Sequence, residues 1–293
     1  MRVRVRRLIA IGLATAAAAC NSGSDAGIDA SPTATDASHS TDAPAAAGCG
    51  GSGAPTGVQQ RTLQSGGVDR TYILSVPDDY DSDTAYPTVF AWHGRTSNAS
   101  QARSYFGVES ASAGAAIVVY ADGLPQAALN GDTGWSLIAD GPDVDFFDAL
   151  LASLDSEYCI DPLRIFSTGH SMGGYFSNTL ACARGGIIRA IAPVAGGGPF
   201  GQCLGVPVAA WITHGTEDAV VPFTQGEGSH VYWRDLAGCD EATTPVEPAP
   251  CEAHPGCSDT PVVWCPHSET AFAGHGWPAW AGGAIWSFFA ALD

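Results

Sequence analysis

The sequence predicts an α/β protein, a single domain in which helices cover a mostly parallel central sheet. From Cys49 onward, short apolar runs alternate with longer amphipathic stretches, as expected where strands alternate with helices. Several of the short runs are apolar on both alternating faces, as strands buried within a parallel sheet must be. The chain has 293 residues, 45% of them hydrophobic, which is enough for one substantial core and too few for two ordinary enzyme domains.

Seven short runs are predicted strands, and four longer stretches are predicted helices. The strand candidates are Arg70–Pro77, Tyr86–His93, Ala116–Ala121, Arg164–Thr168, Arg189–Val194, Val208–Thr213 and Pro261–Cys265. The helix candidates, which have apolar residues at helical spacing, are Val144–Tyr158, Gly173–Arg184, Gln225–Ala237 and Gly282–Leu292. We expect Asp143 to cap the first of these helices.

The charge balance argues against one class of partner. The chain has 30 acidic and 12 basic residues, and four of its arginines lie within the first seven positions. A surface this acidic repels phosphate backbones, so we do not expect a nucleic-acid partner.

The first 20 residues have the features of an export signal. A positive stretch, Arg2–Arg7, precedes an apolar run, Leu8–Ala19, that is too short to span a bilayer. Small residues directly before Cys20 make the end of this run similar to a bacterial lipoprotein processing site, so we expect Cys20 to carry a lipid that anchors the protein to the bacterial envelope. The alternative is ordinary signal-peptidase cleavage after an Ala-x-Ala sequence, and both interpretations predict an exported protein.

The next segment, residues 21–48, has the composition of a tether. It consists almost entirely of Ser, Thr, Ala, Asp, Gly and Pro, with one isoleucine and no aromatic residue, so it cannot bury enough surface to fold. We therefore place the folded domain at residues 49–293.

The cysteines predict disulfides. Once Cys20 is set aside, eight cysteines remain, an even number that fits four disulfides in an oxidising compartment. They are Cys49, Cys159, Cys182, Cys203, Cys239, Cys251, Cys257 and Cys265, and the sequence does not choose among their pairings. Zinc bound by the last three cysteines with His254 and His267 is the competing explanation, but no Cys-x-x-Cys pair is present, so we expect no metal site.

The strongest local motif is Gly169–Gly173, which reads Gly-His-Ser-Met-Gly and lies directly after a predicted strand and before a predicted helix. In the α/β-hydrolase fold this turn is the nucleophile elbow, in which glycines on both sides prevent a clash and the serine hydroxyl is held at the edge of the sheet. The helix N-terminus behind the serine also favours developing negative charge. We predict this fold, with Ser171 as the nucleophile.

A serine nucleophile needs a histidine to take its proton and a carboxylate to fix the tautomer of that histidine. In this fold the chain order is serine, acid, histidine, and the loop after the strand Val208–Thr213 offers Glu217 and Asp218 as acids. Four histidines follow this loop. We favour His275, which lies in a Gly- and Pro-containing loop before the last helix, and we keep His267 as the alternative because it lies nearer the strand.

The other two of these histidines, His230 in the middle of a predicted helix and His254 in a Cys- and Pro-rich loop, are expected to be surface residues.

Backbone N–H groups must also stabilise the oxyanion. We assign them to Met172, directly after the nucleophile, and to Arg95 in the loop after an early strand, with Thr96 as the alternative to Arg95. His93 is expected to be a packed, hydrogen-bonded residue without a role in proton transfer.

Six further motifs follow one another along the chain: Gly48-Cys49-Gly50, Tyr72–Asp81, Trp92-His93-Gly94, Cys159-Ile160-Asp161, Ala181–Arg184 and His214–Pro222. Together with the elbow they make the region from about Cys49 to Leu292 resemble carbohydrate esterase family 1, especially the secreted feruloyl esterases and the related polyhydroxybutyrate depolymerases. The resemblance favours Asp218 over Glu217 as the acid. The segment from Trp264 to His275 is longer than in the family, which keeps His267 open.

The resemblance implies hydrolysis of the ester that joins ferulate or a related hydroxycinnamate to plant cell-wall polysaccharide, without a cofactor. It also places Trp135 in an active-site loop, and Trp277 flanks His275, so either ring could form a flat wall against a phenolic or sugar ring. Polyhydroxyalkanoate depolymerase and acetylxylan esterase are alternative activities, and a carbohydrate-binding protein on an inactive hydrolase scaffold is the alternative outside enzymes. We expect a monomer.

Overall fold

The computed structural model describes residues 46–201, 203–257 and 259–292. The predicted signal peptide, Cys20 and residues 21–45 of the predicted tether therefore lie outside the described residues. Two of the last three tether residues pack against the domain: the side chain of Ala46 is buried, and the Gly48 amide donates to the carbonyl of Asp155 at 2.7 Å. The packed chain thus begins slightly earlier than the predicted boundary at residue 49.

The described residues form one ten-stranded sheet and a separate small hairpin. The strands of the sheet are β1 (Gly57–Ser65), β2 (Val68–Val76), β3 (Tyr86–Trp92), β4 (Ile117–Ala121), β7 (Ile160–His170), β8 (Ile188–Val194), β9 (Ala209–Gly215), β10 (Thr244–Pro245), β11 (Glu252–Ala253) and β12 (Val262–His267), and the hairpin is formed by β5 (Leu124–Pro125) and β6 (Thr133–Gly134). The order across the sheet is β1-β2-β4-β3-β7-β8-β9-β12-β11-β10, and the central strands from β4 to β12 are parallel. All seven predicted strands are present, and the prediction of a mostly parallel sheet is confirmed.

Helices cover both faces of the sheet. They are α1 (Ala99–Phe106), α2 (Val108–Ser112), α3 (Pro142–Glu157), α4 (Met172–Arg184), α5 (Phe223–Leu236) and α6 (Ala281–Ala290). Side chains of α3, α4 and α5 belong to one buried apolar cluster, and those of α1, α2 and α6 belong to a second cluster on the opposite face. Because the parallel strands end at a common edge, the loops that follow them meet there, and that edge carries the candidate site.

The prediction that Asp143 caps α3 is wrong. Gly141 occupies the cap position and Pro142 the first turn, where a missing N–H costs nothing. Asp143 is instead buried and forms an ion pair with Arg70 at 2.6 Å, while its second oxygen accepts the amide of Ser136 at 2.6 Å. Its carboxylate therefore joins β2 and the loop before α3 to the start of that helix.

The eight cysteines form four disulfides: Cys49–Cys159, Cys182–Cys203, Cys239–Cys257 and Cys251–Cys265. This pairing rules out zinc at the last three cysteines and indicates an oxidising, extracytoplasmic compartment. Across the described ranges, no group of three or more His, Cys, Asp or Glu side chains is arranged to hold a metal ion. None of the helices in the same ranges has the length and apolar character needed to cross a membrane.

The expectation that His230 and His254 lie on the surface is also wrong. Both side chains are buried, and their Nε2 atoms are 2.6 Å apart. The ring of His230 stacks on Trp264, while Nδ1 of His254 lies 2.7 Å from the carbonyl of Asp240. The pair thus holds the β10–β11 segment against α5, and burial lowers the pKa of His230 to about 4.

Candidate active site

Ser171 lies in a sharp turn between β7 and α4. Its φ of 54° and ψ of −117° are outside the usual regions for an L-residue, as expected for a strained nucleophile elbow. A Cβ atom on Gly169 would lie 2.8 Å from the carbonyl oxygen of Trp92, and one on Gly173 would overlap the same carbonyl group. Only glycine at these two positions lets the turn pass this close to β3.

Ser171, His275 and Asp218 form a continuous chain of hydrogen bonds. Nε2 of His275 is 2.8 Å from Oγ of Ser171, and Nδ1 of His275 is 2.7 Å from Oδ2 of Asp218. Since the Asp218 carboxylate can only accept, Nδ1 carries the proton, and the Nε2 lone pair faces the serine hydroxyl. This arrangement suits proton transfer from Ser171 to His275.

The backbone around Asp218 holds its carboxylate in the charged form. Burial by itself would raise the pKa of Asp218, but hydrogen bonds from His275 and from the amides of Val221 and Val220 outweigh that effect and lower the pKa. Each of those amides donates to Oδ1 at 2.8 Å, which leaves Oδ2 for His275. Glu217, the other candidate acid, is exposed and makes no such contact within the described residues.

His267 does not reach the nucleophile. It lies at the end of β12 and is 2% exposed, its Nδ1 accepts the amide of Glu269 at 3.3 Å, and its carbonyl accepts the amide of Thr216. No hydrogen bond joins it to Ser171 or Asp218 in the described part of the chain. The longer loop beyond β12 brings His275, rather than His267, to the serine.

Two backbone N–H groups are available beside Ser171. Met172 is the first residue of α4, so its N–H has no intrahelical acceptor. Gly94 lies against the serine, since a Cβ atom placed on it would be 3.4 Å from Cβ of Ser171. Among the described residues, neither the Met172 nor the Arg95 N–H has a partner, whereas the Thr96 N–H donates to the carbonyl of Thr133 at 2.9 Å. The geometry therefore favours Arg95 over Thr96 as the second donor.

His93 is a buried scaffold residue, as expected. Its Nε2 accepts the amide of Gly123 at 2.8 Å, so its Nδ1 carries the proton that is donated to the carbonyl of Gly94 at 2.7 Å. Burial lowers the pKa of His93, which keeps the ring neutral in this role. These two bonds fix the loop that presents the Arg95 N–H.

The placement of Trp135 as an exposed wall of the site is wrong. The ring is 1% exposed, its Nε1 donates to the carbonyl of His93 at 2.8 Å, and it stacks on Phe176 at 5.3 Å between ring centroids. Trp135 therefore packs beneath the site. Trp277 does lie beside His275, in face-to-face contact with Phe106 at 4.0 Å between centroids.

His170, directly before the nucleophile, connects the elbow to the loop that carries His275. Its Nε2 is 2.7 Å from the carbonyl of His275, and its Nδ1 is 3.0 Å from the hydroxyl of Tyr105. Burial lowers the pKa of His170 to about 4, so the ring is neutral, with Nε2 as donor and Nδ1 as acceptor. Sequence reasoning missed this role, and the only sequence signal was the position of His170 next to Ser171.

Two openings flank the Ser171–His275 pair. The serine cleft, a cavity of about 610 Å³, contains Ser171, Met172 and Arg95 together with the side chains of Leu137, Tyr175 and Phe200. The histidine groove, a cavity of about 810 Å³, is lined by His275, Tyr105, Gln101, Ser104, Phe272 and Trp277. His275 and Val220 border both. No local pattern pointed to Phe200 or Phe272, because nothing local predicts which loop residues face a cleft.

Comparisons with known proteins identify relatives of this chain. No family model matches the chain. Feruloyl esterase D of Neurospora crassa is 32% identical over 240 residues, which are 75% of this chain and 80% of that protein. Feruloyl esterase C of Emericella nidulans is 31% identical over 261 residues, which are 82% of this chain and 92% of that protein.

Solved structures support the same fold at lower identity. An acetyl xylan esterase from Aspergillus awamori superposes with a TM-score of 0.59 at 16% identity, covering 79% of this chain and 99% of that one. A thermostable esterase superposes with a TM-score of 0.55 at 20% identity, covering 80% of this chain and 60% of that one. These structures confirm the predicted α/β-hydrolase fold, and the relatives show that the chain is a carboxylic ester hydrolase belonging to the feruloyl esterase family.

Proposed function

We propose that this enzyme hydrolyses feruloyl esters of plant cell-wall polysaccharide through an acyl-enzyme on Ser171. The observation that carries the proposal is the hydrogen-bonded chain Ser171–His275–Asp218, which opens onto an apolar cleft beside two unpaired N–H groups. The relatives are feruloyl esterases, and this similarity supports ferulate as the acyl group.

The reaction follows from these positions. Oγ of Ser171 attacks the ester carbonyl carbon while its proton moves to Nε2 of His275, and Asp218 stabilises the resulting imidazolium. The carbonyl oxygen becomes an oxyanion that accepts hydrogen bonds from the N–H groups of Met172 and Arg95. When the intermediate collapses, the bond to the alcohol oxygen breaks and His275 returns the proton to that oxygen. Water, activated by His275, then releases the acid from Ser171.

The serine cleft has the shape and surface that a phenolic acyl group requires. Its volume of about 610 Å³ lies within the range typical of small-molecule sites. The rings of Tyr175 and Phe200 stack at 5.6 Å between centroids, and 48% of Phe200 is exposed, so its ring forms one wall of the cleft. A planar hydroxycinnamate can pack along this wall.

The test is a panel of methyl ferulate, an acetyl ester and a hydroxybutyrate ester, measured on one preparation. We expect methyl ferulate to have the highest kcat/KM, and Ser171→Ala to lower kcat by roughly 10⁴- to 10⁶-fold while circular dichroism remains unchanged. A folded Ser171→Ala protein that keeps its activity would contradict the mechanism. A preference for the acetyl or hydroxybutyrate ester would contradict the acyl group.

We further propose that the enzyme is monomeric and reaches the cell surface through a lipid on Cys20, with residues 21–45 as a tether. Support comes from the lipoprotein-like sequence before Cys20 and from four disulfides that suit export. Expressed in a bacterium that processes lipoproteins, the wild type should fractionate with membranes, and Cys20→Ser should be released. Equal release of the two proteins would instead favour ordinary signal-peptidase cleavage.

A further inference from the structure

The two openings beside the catalytic pair differ in the reactive groups that they contain. The serine cleft includes the nucleophile and both N–H donors, Met172 and Arg95. Among the described residues, the histidine groove includes none of these groups and shares only His275 and Val220 with the serine cleft. A substrate that spans both openings must therefore place its two halves in different surroundings.

The proposed reaction determines which half lies where. The carbonyl group must lie beside Ser171 and the two donors, so the acyl half extends into the serine cleft. The alcohol oxygen must receive its proton from Nε2 of His275, so the alcohol half departs on the side of that ring. The groove beyond His275 is the opening on that side.

The surface of the groove combines aromatic rings with hydrogen-bonding side chains. Tyr105, Trp277 and Phe272 contribute rings, and Gln101 and Ser104 contribute an amide and a hydroxyl from α1. A sugar ring has apolar C–H faces that pack on aromatic rings, and hydroxyl groups around its edge that need polar partners. The groove is mostly apolar, so its rings supply the main contact surface for the C–H faces of a sugar, and the amide and hydroxyl of α1 supply a few polar partners for its hydroxyl groups.

Phe272 is the least expected residue of the groove. Its ring is 84% exposed, and its φ of 49° is followed by a φ of 56° at Ala273, so two consecutive non-glycine residues are left-handed. Such a conformation costs on the order of 1 kcal/mol per residue. Two backbone hydrogen bonds hold the turn. The amide of His275 donates to the carbonyl of Phe272 at 3.1 Å, and the amide of Ala219 donates to the carbonyl of Ala273 at 3.0 Å. Strain and an exposed ring beside a catalytic histidine indicate function.

We propose that the histidine groove binds the sugar that carries the ester, with Phe272 as its stacking platform. This inference rests on the proposed function, because it takes His275 as the donor of the proton to the departing sugar. The groove then determines selectivity for the alcohol half of the substrate, separately from the acyl selectivity of the serine cleft.

The test compares Phe272→Ala with wild type on two esters that share one acyl group, methyl ferulate and a feruloylated arabinoxylan oligosaccharide. We expect the ratio of kcat/KM for the oligosaccharide ester to that for the methyl ester to fall about tenfold, as loss of one stacked ring predicts. Phe200→Ala is the matched control in the serine cleft. It should lower both rates together and leave the ratio unchanged.

An unchanged ratio in folded Phe272→Ala would overturn the inference, and so would an equal change of the ratio in Phe200→Ala. Failure of the wild type to hydrolyse either ester would overturn the proposed function instead. The groove can still be examined in that case, because Trp277 lines it and its fluorescence reports binding. Titration of Ser171→Ala with the ester-free oligosaccharide should change this fluorescence, and Phe272→Ala in that background should weaken the response. No response in the parent protein would overturn the inference.

Discussion

Two segments meet at the Ser171–His275 hydrogen bond: the elbow and the loop between β12 and α6. They are held in place by different kinds of contact. The elbow is fixed locally, since β7 and α4 flank it directly and glycines at 169 and 173 let it pass against Trp92. The loop between β12 and α6 depends on contacts distant in sequence, with Asp218 and His170 both bonded to His275. A short motif can therefore specify the nucleophile, whereas the base needs the whole fold to bring it into place.

Gly173→Ala should break the elbow most severely. The added Cβ would overlap the carbonyl group of Trp92, and neither backbone can move without disrupting β3 or α4. We expect no soluble folded protein, or a folded protein without measurable esterase activity. Gly228→Ala in α5 is the control, because nothing lies within 4 Å of a Cβ there, and an alanine in a helix stabilises by up to about 1 kcal/mol. A normal melting temperature and normal activity in Gly173→Ala would contradict the view that the close approach of Gly173 to Trp92 holds the elbow in place.

Asp218→Asn tests the carboxylate that supports His275. An amide at this position no longer fixes the tautomer or stabilises the imidazolium, so kcat should fall roughly 10⁴-fold. Glu217→Gln is the matched control one residue away, because the exposed Glu217 does not contact His275. Steady-state kinetics with methyl ferulate measure both variants. Similar losses of kcat in Asp218→Asn and Glu217→Gln would show that the Asp218 carboxylate acts through the charge of the loop and not through its bond to His275.

His170→Leu tests the second hydrogen bond between the two segments, from Nε2 of His170 to the carbonyl of His275. Without the donor to the carbonyl of His275, the loop loses a restraint, and kcat should fall about 10- to 100-fold with little change in KM. His170→Gln keeps an N–H at similar reach and should recover part of the rate. If His170→Leu and His170→Gln had identical kinetics, the role of His170 would be packing alone.

The smallest expected effect is on the pH dependence of stability. Burial lowers the pKa of His170 from 6.5 to about 4, so between these values the unfolded chain binds a proton that the folded chain does not. The unfolding free energy of the wild type should therefore decrease as the pH falls from 6.5 to 4. His170→Gln should show a shallower decrease in urea titrations across this window. Parallel curves for the two proteins would contradict a neutral His170 in the folded state.

The same contrast explains which features the sequence could predict. The seven central strands and four helices carry long apolar patterns, and Ser171 carries a local motif, so all could be identified. Strand β1 alternates between exposed and half-buried residues at the sheet edge, and α1 buries few residues, so neither stands out from polar loops. The capping residue Asn98, whose side chain accepts the amide of Gln101 at 2.9 Å, was the one local signal for α1.

Errors occurred where tertiary contacts decide the outcome. Trp135 was a candidate aromatic wall with ordinary packing as the alternative, and packing is what occurs, because its indole N–H binds the carbonyl of His93 in the core. His230 and His254 were expected at the surface, yet each satisfies the other after burial. The choice between His267 and His275 likewise depended on the path of the loop after β12. A single sequence does not encode these pairings in any local pattern.

The central claim is that Ser171 forms a covalent feruloyl ester during turnover. Mixing the enzyme with methyl ferulate, quenching with acid within the first turnover and mapping peptides by mass spectrometry tests it directly. We expect one feruloyl group on the peptide that contains Ser171 and none in Ser171→Ala. A feruloyl group on another residue would contradict it.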